Sequence, residues 1–344
     1  MVIVTGGGTG GHFYPGLAAA RALLAAGEPV TYVGAQGGLE ERVLPEAKLP
    51  FRIIPAGKLS RDALRPGEGM KVLRGLWEAQ RVVRELRPRA VLSMGGYAGF
   101  PVALVSALLG VPMVIHEQNA KLGLANRILA RLACRVTLST PMKLEPRLAA
   151  KTQVVGYPVR EEKRSQAEAS VALGLDPERP TILIMGGSQG SKELNEQLPE
   201  RLYPLLGEWQ VLHQSGLRWE HVMKSKERPH YMVRGYVDSV LAWSAAEFAI
   251  TRGGAGTLSE AAYHRVPVLG VPLPRNLDGG AQQANVGFYA ERNAALLLAS
   301  WDQFEAQLNA LLDPPTRAQI RDRLGGLSPA GAAERLAQVV LEAA

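Results

Sequence analysis

Four glycine clusters carry the clearest chemical signal in the sequence. They are Gly6-Gly7-Gly8-Thr9-Gly10-Gly11, Gly95-Gly96-Tyr97-Ala98-Gly99, Gly186-Gly187-Ser188-Gln189-Gly190 and Arg252-Gly253-Gly254-Ala255-Gly256-Thr257. In each, a strand-like run ends, glycines follow and a helical pattern begins. Glycine lets the backbone approach a ligand closely. The helix N-terminus behind it offers free N–H groups and partial positive charge, which suit phosphate. One such cluster can be a tight turn and nothing more. Four of them, two in each half, with Thr9, Ser188, Arg252 and Thr257 alongside, favour anion binding.

Other polar residues accompany the clusters. His12 directly follows the first. The positive field of a helix N-terminus pushes a histidine toward its neutral form, the form a general base needs. A capping or packing histidine is the other reading. Glu260 lies about two helical turns beyond Arg252. A carboxylate there could hold both hydroxyls of a ribose while N–H groups and Arg252 take phosphate, or it could be a solvated surface glutamate. Gln282 and Asn285 are three residues apart and share a helical face. Their amides both donate and accept, which suits sugar hydroxyls, although ordinary helix surface looks the same.

The first cluster also matches G-x-G-x-x-G, the dinucleotide fingerprint. That site needs an acid at the end of the second strand, and Thr31-Tyr32-Val33-Gly34-Ala35-Gln36 has none. No G-x-x-x-x-G-K-[ST] is present, which argues against a P-loop triphosphatase. His116-Glu117-Gln118-Asn119 is not the zinc pattern H-E-x-x-H, because position 120 is Ala, and no Asp-x-Asp occurs to hold a metal-bound diphosphate. No metal or other cofactor is expected, so helix dipoles and arginine would have to neutralise a diphosphate.

These residues need elements to position them. Val2–Thr5, Val30–Val33, Arg52–Ile54, Ala90–Ser93, Pro112–Ile115 and Val136–Leu138 read as strands, with helical stretches between most of them. Leu17–Ala26 reads as a helix opened by Pro15-Gly16 and closed by Gly27. Gly156-Tyr157-Pro158-Val159-Arg160 and the polar run after it read as a linker. The rhythm restarts with strands at Thr181–Met185, Trp209–His213, Tyr231–Val233, Phe248–Thr251 and Val266–Val271. Asp238 is a helix N-cap before Val240–Ala246. The fold class is α/β: two tandem Rossmann-like doubly wound domains facing across a cleft. The expected division is 1–158 and 159–344, with the amphipathic helix at about 329–343 free to pack back on the first domain.

The 344 residues fit two domains, and 47% hydrophobic with 21% charged content excludes a disordered chain. No apolar run is long enough to span a bilayer, and the N-terminus lacks the basic and cleavage features of a secretory signal. One cysteine, Cys134, excludes an internal disulfide framework. The charge divides unevenly. Residues 1–158 carry 20 Lys and Arg against 10 Asp and Glu, whereas the remainder carries 19 against 22. A basic half suggests an anionic surface, although an arginine-rich composition, 29 Arg to 10 Lys, would also produce it. Met70, Leu73, Leu76 and Trp77 repeat at helical spacing, continued by Val83 and Leu86, among Arg74, Arg81 and other basic residues. A basic amphipathic helix with a Trp suits an anionic membrane surface, besides packing on its own sheet. Aromatic residues do not interleave with the basic ones, so nucleic acid is not expected.

The ordered set of motifs resembles the MurG family, from Gly6 to about Ala295. Gly7 to His12 with Pro15-Gly16, Met94-Gly95-Gly96-Tyr97, His116 to Asn119, Gly186 to Gly190, His213-Gln214-Ser215-Gly216, Arg252 to Glu260 and the Gln282/Asn285 pair carry the resemblance. Tyr157 stands where the family's linker usually has Asn, and Ala281 where it has His or Gln, so either Gln282 or Gln283 could be the sugar contact. The resemblance implies the GT-B fold. It implies transfer of N-acetylglucosamine from UDP-N-acetylglucosamine to the muramyl C4 hydroxyl of lipid I, giving lipid II for peptidoglycan synthesis. By matching positions, Val237 backbone would read uracil and Glu260 would hold the ribose. Ser188, Arg160 and the turn Ala255, Gly256, Thr257, Leu258 with Ser259 would meet the diphosphate and sugar, with Arg252 and Asn285 beside them. Gln282 and Asn119 would contact N-acetylglucosamine. Thr9, Gly10 and Gly11 would border the donor, while Gly8, His12, Gly95, Gly96 and Tyr97 would receive the acceptor. The family works on the cytoplasmic face of the plasma membrane, peripherally, beside other cell-wall synthesis proteins. Rival readings are a glycolipid synthase, a non-catalytic nucleotide-sugar sensor and a UDP-sugar 2-epimerase.

Overall fold

The structure is a computed structural model that describes residues 1–57, 66–187 and 189–344. The chain forms two compact units: Met1–Val159 together with Pro329–Ala344, and Arg160–Ser328.

The first unit holds seven parallel strands: β1 Val2–Thr5, β2 Val30–Ala35, β3 Phe51–Ile54, β4 Ala90–Ser93, β5 Met113–Glu117, β6 Arg135–Leu138 and β7 Thr152–Val154. Their order is β3-β2-β1-β4-β5-β6-β7. Val2, Val4, Leu92 and Val114 pack into a core on one face, and Ile3, Val33 and Val91 into another, because successive side chains of a strand point to opposite faces. The helices that cover them include α1 Gly10–Ala25, α2 Leu39–Val43, α3 Pro66–Leu86, α4 Gly96–Leu108 and α5 Leu124–Leu132. The helix Ala332–Ala343 also belongs here: its Leu336, Ala337, Val339 and Val340 join the core with Val2, Val4 and Leu23. The last residues of the chain therefore lie with the first unit, not with the segment that precedes them in sequence.

The second unit holds β8 Thr181–Met185, β9 Gln210–Gln214, β10 Tyr231–Arg234, β11 Ala246–Thr251, β12 Val268–Gly270 and β13 Leu296–Leu297. All pairs are parallel, in the order β10-β9-β8-β11-β12-β13. Both sheets switch direction at one place, between β1 and β4 in the first and between β8 and β11 in the second. Doubly wound sheets bind ligands beyond the carboxyl ends of those strands, and each of the four glycine clusters follows one of those four strands.

Helix α1 and two short strands, β7 and β13, differ from the sequence reading. Helix α1 starts at Gly10 rather than Leu17 and runs through Pro15. Proline cannot donate to the carbonyl four residues back, so Gly11 O is left over; the Tyr157 hydroxyl donates to it at 3.1 Å. The short edge strand β7 is half exposed and has no apolar run to announce it.

Candidate active site

In the first unit, Thr5 of β1 lies opposite Ser93 of β4, so the first two glycine clusters leave the sheet side by side. Gly95 and Gly96 both take positive φ, +74° and +72°, which lets α4 start hard against the first cluster. A Cβ on Gly96 would sit 2.9 Å from Gly7 O and 3.5 Å from the His12 ring. The Tyr97 ring lies against Gly8. Thr9 is the N-cap of α1, in extended conformation and with no side-chain cap bond. Its Oγ1 pairs instead with His12 Nδ1 at 3.0 Å. The N–H groups of Gly10 and Gly11, in the first turn, have no intrahelical acceptor. Burial lowers the His12 pKa, against the opposing charges of Glu117 and Glu40, so the ring is neutral near pH 7. Gly8, Thr9, Gly10, Gly11, His12, Gly95, Gly96 and Tyr97 are thus brought together within one unit.

Behind them stands a scaffold whose working sequence reasoning missed. Glu117, almost fully buried, accepts from Asn119 N and Nδ2 at 3.0 and 3.1 Å, Gly123 N at 2.8 Å and Asn126 Nδ2 at 2.9 Å. Gln118 Nε2 donates to Met94 O at 2.8 Å. His116 sits between Thr137 Oγ1 and Ser139 Oγ, and burial pushes its pKa down to about 3. Asn119, expected on the sugar, is therefore fixed by Glu117 through both its nitrogens. The signal available in sequence was a buried strand, β5, that ends in His-Glu-Gln-Asn rather than in apolar residues.

In the second unit, the helix Ala255–His264 begins directly after Gly254, which supplies no side-chain cap. Ala255, Gly256 and Thr257 keep their orphan N–H groups. Leu258 does not: its N–H donates to Gly254 O at 3.0 Å and its side chain is buried, as is Ser259. The anion-binding part of the expected turn is thus its first three residues. One turn on, Glu260 is half-buried and accepts from Trp243 Nε1 at 3.0 Å and Ser239 Oγ at 3.2 Å. Burial raises its pKa, and those two bonds oppose the rise. It is a fixed acceptor, not a solvated surface glutamate.

Arg252, expected on the phosphate, is turned to another task. It is buried, and its guanidinium donates to Glu193 Oε2 at 2.7 Å and Val271 O at 3.1 Å. It braces the loop instead of reaching outward. Asn285 is buried as well and donates from Nδ2 to Gly253 O at 2.9 Å, so it too holds the loop. Gln282 Oε1 accepts from Leu273 N at 3.0 Å, and Gln283 Oε1 from Arg275 Nε at 2.7 Å. Asp278 fixes the turn before them by accepting from Gly280 N and Gln282 N, both at 2.8 Å. Arg160 is exposed and paired with Asp238 at 2.8 Å and Glu162 at 2.9 Å. Asp238 caps its helix through Leu241 N, as the sequence predicts, beside the buried Val237. Burial alone would raise the Asp238 pKa, yet the Arg160 and Leu241 bonds hold it below the usual carboxylate range. Ser188 lies outside the described residues.

The basic amphipathic helix α3 has two apolar faces rather than one. Ala79, Val82 and Val83 are buried, with Leu76 and Leu86 packed beside them. Met70, Leu73 and Trp77 are about 60% exposed, on the face that also carries the exposed Arg74, Arg81 and Arg84. On α5 the spacing-four set Leu124, Ile128 and Leu132 is likewise exposed beside Arg127 and Arg131. Among the described residues, no helix is long and apolar enough to cross a membrane.

Two parallel Rossmann-like sheets, each with paired glycine loops at its switch point, are the architecture of the GT-B class of glycosyltransferases, and the matches to known proteins place the chain in it. Residues 2–138 match the glycosyltransferase family 28 N-terminal domain and residues 181–322 the family 28 C-terminal domain. A solved structure of Acinetobacter baumannii MurG superposes with a TM-score of 0.80 at 28% identity, covering 99% of each chain. A glycotransferase of kitacinnamycin, at 18% identity and a TM-score of 0.73, shares the fold. The UDP-N-acetylglucosamine--N-acetylmuramyl-(pentapeptide) pyrophosphoryl-undecaprenol N-acetylglucosamine transferase of Thermus thermophilus is 53% identical, with 99% of each chain covered. The transferase of the same name from Deinococcus radiodurans is 37% identical, over 99% of this chain and 95% of its own. The chain belongs to the MurG family.

Proposed function

We propose that the chain moves N-acetylglucosamine from UDP-N-acetylglucosamine to the muramyl C4 hydroxyl of lipid I, with inversion at the anomeric carbon. The observation that carries this reading is the second unit's helix start: three orphan N–H groups at Ala255, Gly256 and Thr257, one turn from the fixed Glu260 acceptor. That is a receptor for a nucleotide diphosphate and its ribose. Family membership supplies the acceptor.

The acceptor hydroxyl attacks the anomeric carbon, the C–O bond to UDP breaks, and UDP leaves with the electron pair. The orphan N–H groups and Arg160 stabilise the charge that develops on it. His12 takes the hydroxyl proton. With Nδ1 bonded to Thr9, Nε2 is the nitrogen left for that proton. The loops of Gly8–Gly11 and Gly95–Tyr97 hold the acceptor's diphosphate. The exposed faces of α3 and α5 rest on an anionic membrane from the cytoplasmic side, where the acceptor's lipid lies.

The test is UDP release from UDP-N-acetylglucosamine, in the presence of a chelator, with and without a short-chain lipid I analogue. Strong acceptor-dependent release is expected. Release stimulated by diacylglycerol instead would point to a glycolipid synthase, and donor binding without release to a sensor. Cosedimentation with phosphatidylglycerol vesicles checks the membrane contact. Replacing Leu73 and Trp77 with Ser should lower the bound fraction several-fold while leaving turnover of a water-soluble acceptor intact.

A further inference from the structure

One buried carboxylate of the first unit takes no part in the mechanism above. Glu40, in the first turn of the five-residue helix α2, is fully buried. Its Oε1 accepts from Gly8 N at 3.1 Å and Ala35 N at 3.0 Å, and its Oε2 accepts from Gly8 N at 3.0 Å. Glycines wall it in: a Cβ on Gly7, Gly34 or Gly38 would run into its side chain. The backbone thus leaves a fitted space for this side chain between the end of β2 and the first glycine cluster. The Tyr32 hydroxyl also holds the cluster, donating to Gly6 O at 2.8 Å.

Burying a carboxylate costs free energy unless hydrogen bonds satisfy it. Of the two donors here, Ala35 N belongs to the end of β2 and Gly8 N to the loop, so the loop cannot move Gly8 away without leaving Oε2 without a hydrogen bond. The N–H of Gly8 is turned inward to Glu40, while those of Gly10 and Gly11 at the start of α1 remain for a ligand. We propose that Glu40 is a positioning residue for the acceptor: by holding the Gly8 N–H it fixes the Gly6–Gly11 loop in the shape that presents the α1 N-terminus to the acceptor's diphosphate. This rests on the reading that the first unit's loops receive that diphosphate.

The test compares wild type, Glu40→Asp and Glu40→Gln in steady-state kinetics with UDP-N-acetylglucosamine and a short-chain lipid I analogue, together with thermal melting. Aspartate is one methylene too short to reach both N–H groups. It should raise the acceptor KM at least tenfold while the donor KM stays within twofold. Glutamine has the reach to accept from Gly8 and Ala35 with one oxygen but sets its NH2 against the Gly8 N–H, and should recover part of the loss. An acceptor KM within twofold of wild type for Glu40→Asp overturns the proposal. A parallel rise in both KM values with loss of the melting transition also overturns it, because Glu40 would then serve the fold in general. Should the wild type itself show no acceptor-dependent UDP release, the functional reading fails and the inference falls with it. A normal wild type with unaltered variants sinks the inference alone.

Discussion

The first and fourth glycine clusters use the same backbone device with opposite supports. Beneath the first lies an anion, the buried Glu40 that accepts the Gly8 N–H. Beneath the fourth lies a cation, the buried Arg252 held by Glu193 and Val271 O. Both support groups are out of reach of a ligand, yet each sets the local field. A helix N-terminus backed by a carboxylate with backbone partners alone attracts phosphate less than one backed by a guanidinium paired with a carboxylate. The difference teaches how one fold can treat two diphosphates unequally. On the proposed reading, the second unit would stabilise a diphosphate on which charge develops as it leaves, and the first would only hold one that does not react.

His12 offers the largest test of that division of labour. His12→Ala removes the proposed base from the first unit and should lower kcat by about 10²–10⁴, with donor affinity measured by calorimetry unchanged. A loss below threefold would mean that the first unit only binds. Wild-type kcat/KM should also fall on acidification only below about pH 6.5, because burial lowers the His12 pKa and the base form survives to lower pH.

The next test concerns what the units share. Each buries one neutral histidine, His116 in the first and His213 in the second, and burial pushes both pKa values down to about 3. The unfolded chain protonates them near pH 6.5, while the folded chain does so only near pH 3. Stability therefore falls as pH drops through that window, by about 1.4 kcal/mol per pH unit for each histidine. Urea titrations at a series of pH values should show the slope, and His213→Gln should flatten it for the second unit. An unchanged slope would place the acid sensitivity elsewhere.

Arg252→Met asks whether the cation beneath the fourth cluster matters. It leaves Val271 O and the partly exposed Glu193 without their partner, which should cost about 1–3 kcal/mol of stability. UDP-N-acetylglucosamine affinity should weaken while acceptor KM holds. Equal effects on both substrates would erase the contrast between the clusters. Tyr157→Phe should have the smallest effect. It returns Gly11 O to its orphan state at a cost of about 1 kcal/mol, read as a lower melting temperature.

Much of this was legible in the chain itself. Periodicity and β-branched runs located eleven of the strands, and glycine with polar neighbours located the loops, because these signals are local. The Asp238 cap was readable for the same reason. The fates of the polar side chains were not. Arg252, Asn285 and Asn119 have the chemistry of ligand contacts, yet tertiary packing gave Arg252 to Glu193, Asn285 to Gly253 O and Asn119 to Glu117. Glu40 drew no notice because its partners are backbone groups that no sequence pattern marks. Likewise, helix α3 read as one apolar stripe, whereas only its neighbours decide which apolar residues face the sheet and which face solvent.

The sequence by itself determined the element types, the four loops, the uneven charge and the family, since each follows from residue identity and near-neighbour spacing. Only the tertiary structure decided that each pair of loops meets at a switch point, because strand order comes from pairing between segments far apart in the chain. It also decided which of the polar groups brought there are already satisfied by the protein. A buried donor or acceptor must find a partner, and which partner it finds depends on contacts that no local pattern records.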